Sequence, residues 1–256
     1  MAKIKRSQFK SFLNTGTLLV PVWSLIGDGV TSGAISYNPK VEEETYIHED
    51  SATITVESYA PKFPLESVAI SGDGVFEFLD TLRKARGVLA AAEGEVSNVW
   101  LYKTPIAGYY PAEKQACSTQ LDEFGGDGGS STKINYTINF LGDPTLGRFN
   151  PTTTAVWSPL NADAAHTLTT LVLGSGTLSP LFSADKTNLF YTTNIAAATV
   201  TMSSTLSGAT IVQKCNGVIV AQGDPASLVL GSNTLTIAVT VAGTTYTYVI
   251  EATRTV

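Results

Sequence analysis

The sequence predicts a mainly β protein in two parts: an α+β first domain with one helix packed on strands, then a small all-β sandwich. Three observations predict it. Residues 133–140 and 233–241 alternate apolar and polar side chains at the two-residue period of half-buried strands. Only one stretch, residues 74–86, has helical spacing, with Val75, Leu79 and Leu82 on one stripe and Phe78 beside it. The composition also changes along the chain. Acids and bases are spread through residues 1–150. After them come only Asp163, Asp185, Asp224, Glu251, Lys186, Lys214 and Arg254, in a background of Thr, Ser, Ala and Val.

From the N-terminus, the elements follow in order. Lys3, Lys5, Arg6 and Lys10 make a basic opening segment, and Leu18, Leu19 and Val20 are too few for a signal-peptide core before Pro21 stops the run. Gly27, Asp28 and Gly29 mark a turn. Residues 38–52 read as a long acidic loop carrying Glu42, Glu43, Glu44, Glu49 and Asp50, with Tyr46 and Ile47 embedded in it. The loop passes directly into a strand whose Ala52, Ile54 and Val56 share one face while Thr53, Thr55 and Glu57 share the other. Asp73 is placed to cap the helix, Arg83, Lys84 and Arg86 suit its C-terminal end, and Gly87 is expected to take the left-handed conformation that stops it.

Residues 98–102 are apolar on both faces and suit a central strand. The glycines from Gly125 to Gly129 mark a hairpin tip, and Ile134, Tyr136, Ile138 and Phe140 form the buried face of the following strand. The Pro/Gly/Thr-rich residues 146–165 read as a linker between domains at 1–145 and 166–256. Beyond it, Leu235, Ile237, Val239 and Val241 alternate with polar or small residues. Gly243 then turns the chain into a strand with Tyr246, Tyr248 and Ile250 on one face.

Composition excludes several classes. A hydrophobic share of 43% against 15% charged residues fits a folded chain, and no apolar run is long enough to span a bilayer, so no membrane insertion is expected. A net charge of −6 opposes a nucleic-acid grip, which needs a basic surface. Cys117 and Cys215 are too few and too distant for a disulfide framework. His48, Glu49 and Asp50 are sequential and would diverge on a strand, so a metal site there needs ligands from elsewhere. Residues 122–129 lack the acidic spacing of a calcium loop. Ser71, Gly72, Asp73 and Gly74 open the helix without a lysine and with an aspartate where an anion would sit. No nucleophile elbow, phosphate loop or dinucleotide fingerprint is present. The expectation is a non-enzyme without cofactor.

The order of several segments is informative: residues 38–50 running through Val56-Glu-Ser-Tyr-Ala-Pro-Lys-Phe-Pro64, the helix at 72–83, and Gln120-Leu-Asp-Glu-Phe-Gly-Gly-Asp-Gly-Gly129. Over roughly residues 5–145 this pattern resembles the major tail (tail tube) proteins of long-tailed bacteriophages. The second half, through residues 176–187, 230–237 and 245–254, resembles the cadherin-like, immunoglobulin-type sandwiches appended to phage tail and bacterial surface proteins. One departure is Phe190-Tyr-Thr-Thr193, where that family has a Tyr-x-Val strand.

The resemblance implies a tail-tube sandwich or barrel whose copies join into hexameric rings and stack into the tube of a non-contractile tail in the virion. The protein would be made in the host bacterial cytoplasm. An N-terminal arm (residues 1–20) and the long loop would cross to the next ring. The implied contacts are Lys3, Lys5, Arg6, Phe9, Phe12 and Leu13 in the arm, and Glu42, Glu43, Glu44, Tyr46, Ile47, Glu49 and Asp50 in the loop. Glu57 is a candidate to face the lumen. Other implied partners are a tape measure protein, tail-tip and terminator proteins, DNA passing without specific binding, and host-surface glycan at the sandwich. The rivals are a two-domain surface adhesin, which needs an export signal, and a cell-wall hydrolase, which needs a paired-carboxylate or Cys–His cleft. A tail terminator or the inner tube of a contractile tail shares the implied fold, but an outer sandwich would collide with a contractile sheath.

Overall fold

A computed structural model describes residues 3–48, 50–152, 155–162, 164–184 and 188–255. Two compact units each have their own core. The first comprises residues 1–100 and 113–145, the second residues 101–112 and 146–256.

The first unit is built on β1 (Phe9–Asn14), β2 (Trp23–Ile26), β3 (Val30–Gly33), β4 (Pro39–Glu44), β5 (Thr53–Tyr59), β6 (Lys62–Ser67), β7 (Glu93–Trp100), β8 (Tyr110–Gly125) and β9 (Lys133–Asn150). Seven of these lie in one eight-stranded sheet in the order β2-β1-β7-β8-β9-β6-β3, while among the described residues β4 and β5 pair only with each other. The strands at the two ends of that order, β2 and β3, are joined by just Gly27, Asp28 and Gly29, a reach of about 14 Å at most. The sheet therefore curls until its edges approach at this turn.

The predicted alternation is realised in β9, where Ile134, Tyr136, Ile138 and Phe140 are buried. They share a core with Leu13, Phe63, Leu65, Val96 and the Val75–Leu79 face of the helix. Helix α1 (Gly74–Ala85) starts where Asp73 Oδ2 accepts from Phe76 N at 2.8 Å. Its stop differs from expectation: Arg86, not Gly87, takes the left-handed conformation (φ 47°). Gly87 is needed for space, because a Cβ there would collide with Leu82 Cδ1.

The second unit comprises β10 (Val156–Pro159), β11 (Thr170–Leu173), β12 (Phe190–Ile195), β13 (Thr199–Thr205), β14 (Thr210–Cys215), β15 (Val218–Val220), β16 (Pro225–Ser227), β17 (Gly231–Val241) and β18 (Thr244–Arg254). A three-stranded sheet, β11-β13-β16, and a five-stranded sheet, β12-β18-β17-β14-β15, contribute to one core. Leu171, Val200 and Met202 come from the first sheet, and Leu235, Ile237, Val239, Tyr248 and Ile250 from the second. The β17–β18 hairpin turns at Ala242 and Gly243, both with positive φ (49° and 87°).

Residues 146–165, expected as a linker, carry the end of β9 and all of β10, which pair antiparallel from Val156↔Asn150 to Pro159↔Gly147. Pro and Gly suggested a break there, but Trp157 and Phe149 sit opposite each other and make a strand pair. Residues 101–112 also belong to this unit: Ile106, Ala107 and Tyr109 pack on its core.

Candidate assembly surface

The acidic segment is chiefly a projecting hairpin and not a loop. Thr53, Ile54, Thr55 and Val56 are strong strand formers, and they hold the glutamates opposite them in an antiparallel ladder: Glu42↔Thr55, Glu43↔Ile54, Glu44↔Thr53. Every residue of β4 and β5 is exposed. A bulge at Lys40/Val41 puts Lys40, Glu42 and Glu57 on one side, where Lys40 and Glu57 form an ion pair. That lysine, with a smaller hydrogen-bond contribution from Glu42, holds the Glu57 carboxyl below its ordinary range. The same hydrogen bond, accepted by the Glu57 carboxylate, pushes Glu42 up. Val41, Val56 and Ile54 occupy the other side, with Ile54 66% exposed.

The base of the hairpin is clamped. Asn38, at φ 41°, donates through Nδ2 to Ala60 O at 3.1 Å and accepts from Ser36 Oγ at 2.9 Å, and Tyr37 meets Tyr59 edge-on at 6.3 Å. At the tip, Tyr46 donates to Glu44 Oε2 at 2.9 Å and its ring stacks on His48, while Ile47 is fully exposed. Asp50 lies exposed at the tip, and Glu49 falls outside the described residues.

The basic N-terminal segment requires a correction. Only residues 3–5 run extended ahead of a 3-10 turn at Arg6–Gln8. Arg6 donates to Phe9 O at 2.6 Å and lies over the Phe9 ring. The predicted arm residues Phe12 and Leu13 belong to β1, an interior strand paired with both β2 and β7, and both are buried in their own unit. Alternation along residues 9–14 should have identified them as core.

Sequence reasoning missed the connection between β1 and β2. Leu18, Leu19, Val20 and Val22 are all exposed there. Asn14 fixes the loop, its Oδ1 accepting from Gly16 N and Val22 N and its Nδ2 donating to Thr17 O. An apolar run ending in proline between two strands was the available signal.

Two grooves flank these features. One, of about 820 Å³ at the hairpin root, is walled by Tyr37, Tyr59 and Phe140 with Glu57, Glu113 and Asp143 around it. The other, of about 560 Å³, lies between β2 and β3 beside Arg6 and Lys10.

The remaining candidates have structural partners. Asp122 accepts from Thr137 Oγ1 at 2.7 Å and from Gln120 Nε2 at 2.6 Å, and Glu123 accepts from Asn135. Buried His166 lies 3.1 Å from Thr244 O and packs on Tyr246. Burial pushes the Cys117 thiol up to about 12 and raises Cys215 as well, which leaves both thiols protonated and unreactive at neutral pH. Among the described residues, no group of three or more His, Cys, Asp or Glu is arranged to hold a metal ion. No helix among them is long and apolar enough to cross a membrane.

No family model matches the chain, and no curated protein matches it. Among solved structures, a chain from the six-fold symmetrised baseplate of an anti-feeding prophage is similar at 12% identity, with a TM-score of 0.35. The match covers 57% of this chain and 97% of that one, a likeness too slight to carry fold or function across.

Proposed function

We infer that this chain is a structural subunit, not an enzyme. In this reading it self-assembles into stacked rings, six copies to a ring, forming the tube of a non-contractile phage tail through which DNA passes. One observation carries the reading: a clamped, fully exposed hairpin presents Val41, Tyr46, Ile47, Ile54 and Val56 to solvent. Burying each large side chain against a neighbour contributes about 1.5–3 kcal/mol, far more than an exposed ion pair. The free edges of the curled sheet support the same reading, since unpaired strand edges are relieved by pairing in a closed assembly. The segment-by-segment resemblance to tail tube proteins supplies the architecture. It also supplies the proposed tape measure, tail-tip and terminator partners and the decorating role of the second unit, including any weak contact with glycan.

Glu57 moves from lumen to contact surface in this proposal. It belongs to the hairpin, outside the eight-stranded sheet, and its charge is engaged by Lys40. Electron microscopy of concentrated protein tests the reading. The full chain is expected to form hollow tubes or rings. A chain with residues 39–59 replaced by Gly-Gly is expected to fold, because Ala60 already reaches back to Tyr37 and Asn38, yet stay monomeric. Tubes from the shortened chain would refute the role of the hairpin.

A further inference from the structure

The proposed function leaves open what receives the hairpin, and the unpaired space between β2 and β3 answers it. Two strands joined by three residues would ordinarily pair as a hairpin. Among the described residues, β2 pairs with β1 and β3 with β6, but the two do not pair with each other. They form the two ends of the sheet order, and the groove of about 560 Å³ is lined by both. Its walls include Phe9, Leu25 and Val30, all half-buried, and Arg6 and Lys10 stand at its side. Among the described residues, neither of these cations pairs with a carboxylate.

We propose that this slot between β2 and β3 receives the acidic hairpin of a second copy of the chain by strand addition. The proposal rests on the assembly reading above and names the partner of its contact surface. The match has three parts. Among the described residues β4 joins no strand but β5, so its backbone can extend the ladder at the end of the sheet formed by β2 or β3. Val41, Ile54 and Val56 can bury against Phe9, Leu25 and Val30. Glu42 and Glu44, which share the other face, can meet Arg6 and Lys10. Length agrees as well: β3 offers four residues, about 13 Å, and the six residues of β4 span about 20 Å. Slot and hairpin are different patches, so copies joined in series through them meet head-to-tail, the kind of contact that builds rings and stacks.

Charge exchange and cross-linking on the full chain test this. Arg6→Glu with Lys10→Glu should fold normally by circular dichroism and lower assembly, read by sedimentation, at least tenfold. Adding Glu42→Lys and Glu44→Lys should restore it. A chain carrying Thr31→Cys in the slot and Glu43→Cys in the hairpin should give a ladder of disulfide-linked oligomers on oxidation. Buried Cys117 and Cys215 should add no background. The control pairs Glu43→Cys with Asp127→Cys at the exposed Gly125–Gly129 tip and should not link. If assembly persists through the charge reversal, or the control links while the slot pair does not, the slot is overturned while the assembly reading stands. A full chain that neither assembles nor cross-links at any concentration overturns both.

Discussion

At the residue scale, two groups in the first unit behave against simple intuition. The Tyr136 hydroxyl is buried in the core without a hydrogen-bond partner, and burial pushes its phenol well above the ordinary range. An unsatisfied buried polar group costs free energy. Tyr136→Phe is therefore expected to keep or raise the urea midpoint, and a clear drop would mean the hydroxyl is satisfied. Asp80 is the opposite case, its carboxyl held below the usual range by Lys84 first and then Arg83, at 2.5 and 2.7 Å. A carboxylate with a lowered folded pKa stabilises above its unfolded value, near 3.9, and that stabilisation is lost as pH falls through the folded value. Asp80→Asn should be less stable than the parent at pH 7, and the gap between their urea midpoints should close in strong acid. The Asp80 pairs, three and four residues apart on the predicted helix, were open to the sequence, but the fate of the Tyr136 hydroxyl was not. The alternation put Tyr136 in the core, but what its hydroxyl meets depends on side chains distant in sequence.

At the element scale, β1 and the hairpin exchange the roles that residue type suggested. The resemblance to tail tube proteins implied an arm at residues 1–20, yet Ser11, Phe12, Leu13 and Asn14 are buried, and Ser11 Oγ donates to buried Asn98 Oδ1 at 2.7 Å. Deleting residues 1–15 is consequently expected to unfold the first unit, with loss of its cooperative melt, instead of producing a folded, non-assembling monomer. A cooperative melt that survives the deletion would show β1 to be dispensable. Acidic residues made 38–52 look like a loop, yet Thr and β-branched partners across the ladder turn Glu42, Glu43 and Glu44 into a strand. The helix was legible because all its signals are local: a capping aspartate, a stripe of Val75, Leu79 and Leu82, and basic residues at its end. Which residue took the left-handed turn was not: Arg86 does so, one position ahead of the glycine.

At the scale of the whole molecule, the division into two units follows the composition shift near residue 145, but the second unit is discontinuous. Tyr109 packs on Phe190 at 5.9 Å, and its carbonyl accepts from Arg148 at 3.3 Å. The Arg148 guanidinium lies over the same Phe190 ring. Tyr109→Ala should thus destabilise the second unit by about 3 kcal/mol, the low end of the range for removing a large aromatic, because the ring is only half-buried. A melt monitored through Trp157 is the check, and an unchanged midpoint would separate residues 101–112 from that core. By itself the sequence determined the mainly β class, the single helix, and the core faces of β9, β17 and β18. Each of these is set by a period of two or 3.6 residues acting over neighbours in the chain. Only the tertiary structure decided that β2 and β3 stand unpaired beside each other, that residues 101–112 join the second unit, and that the glutamates stand on a clamped hairpin. Those outcomes depend on which distant segments pair, and local periodicity carries no record of partner or register.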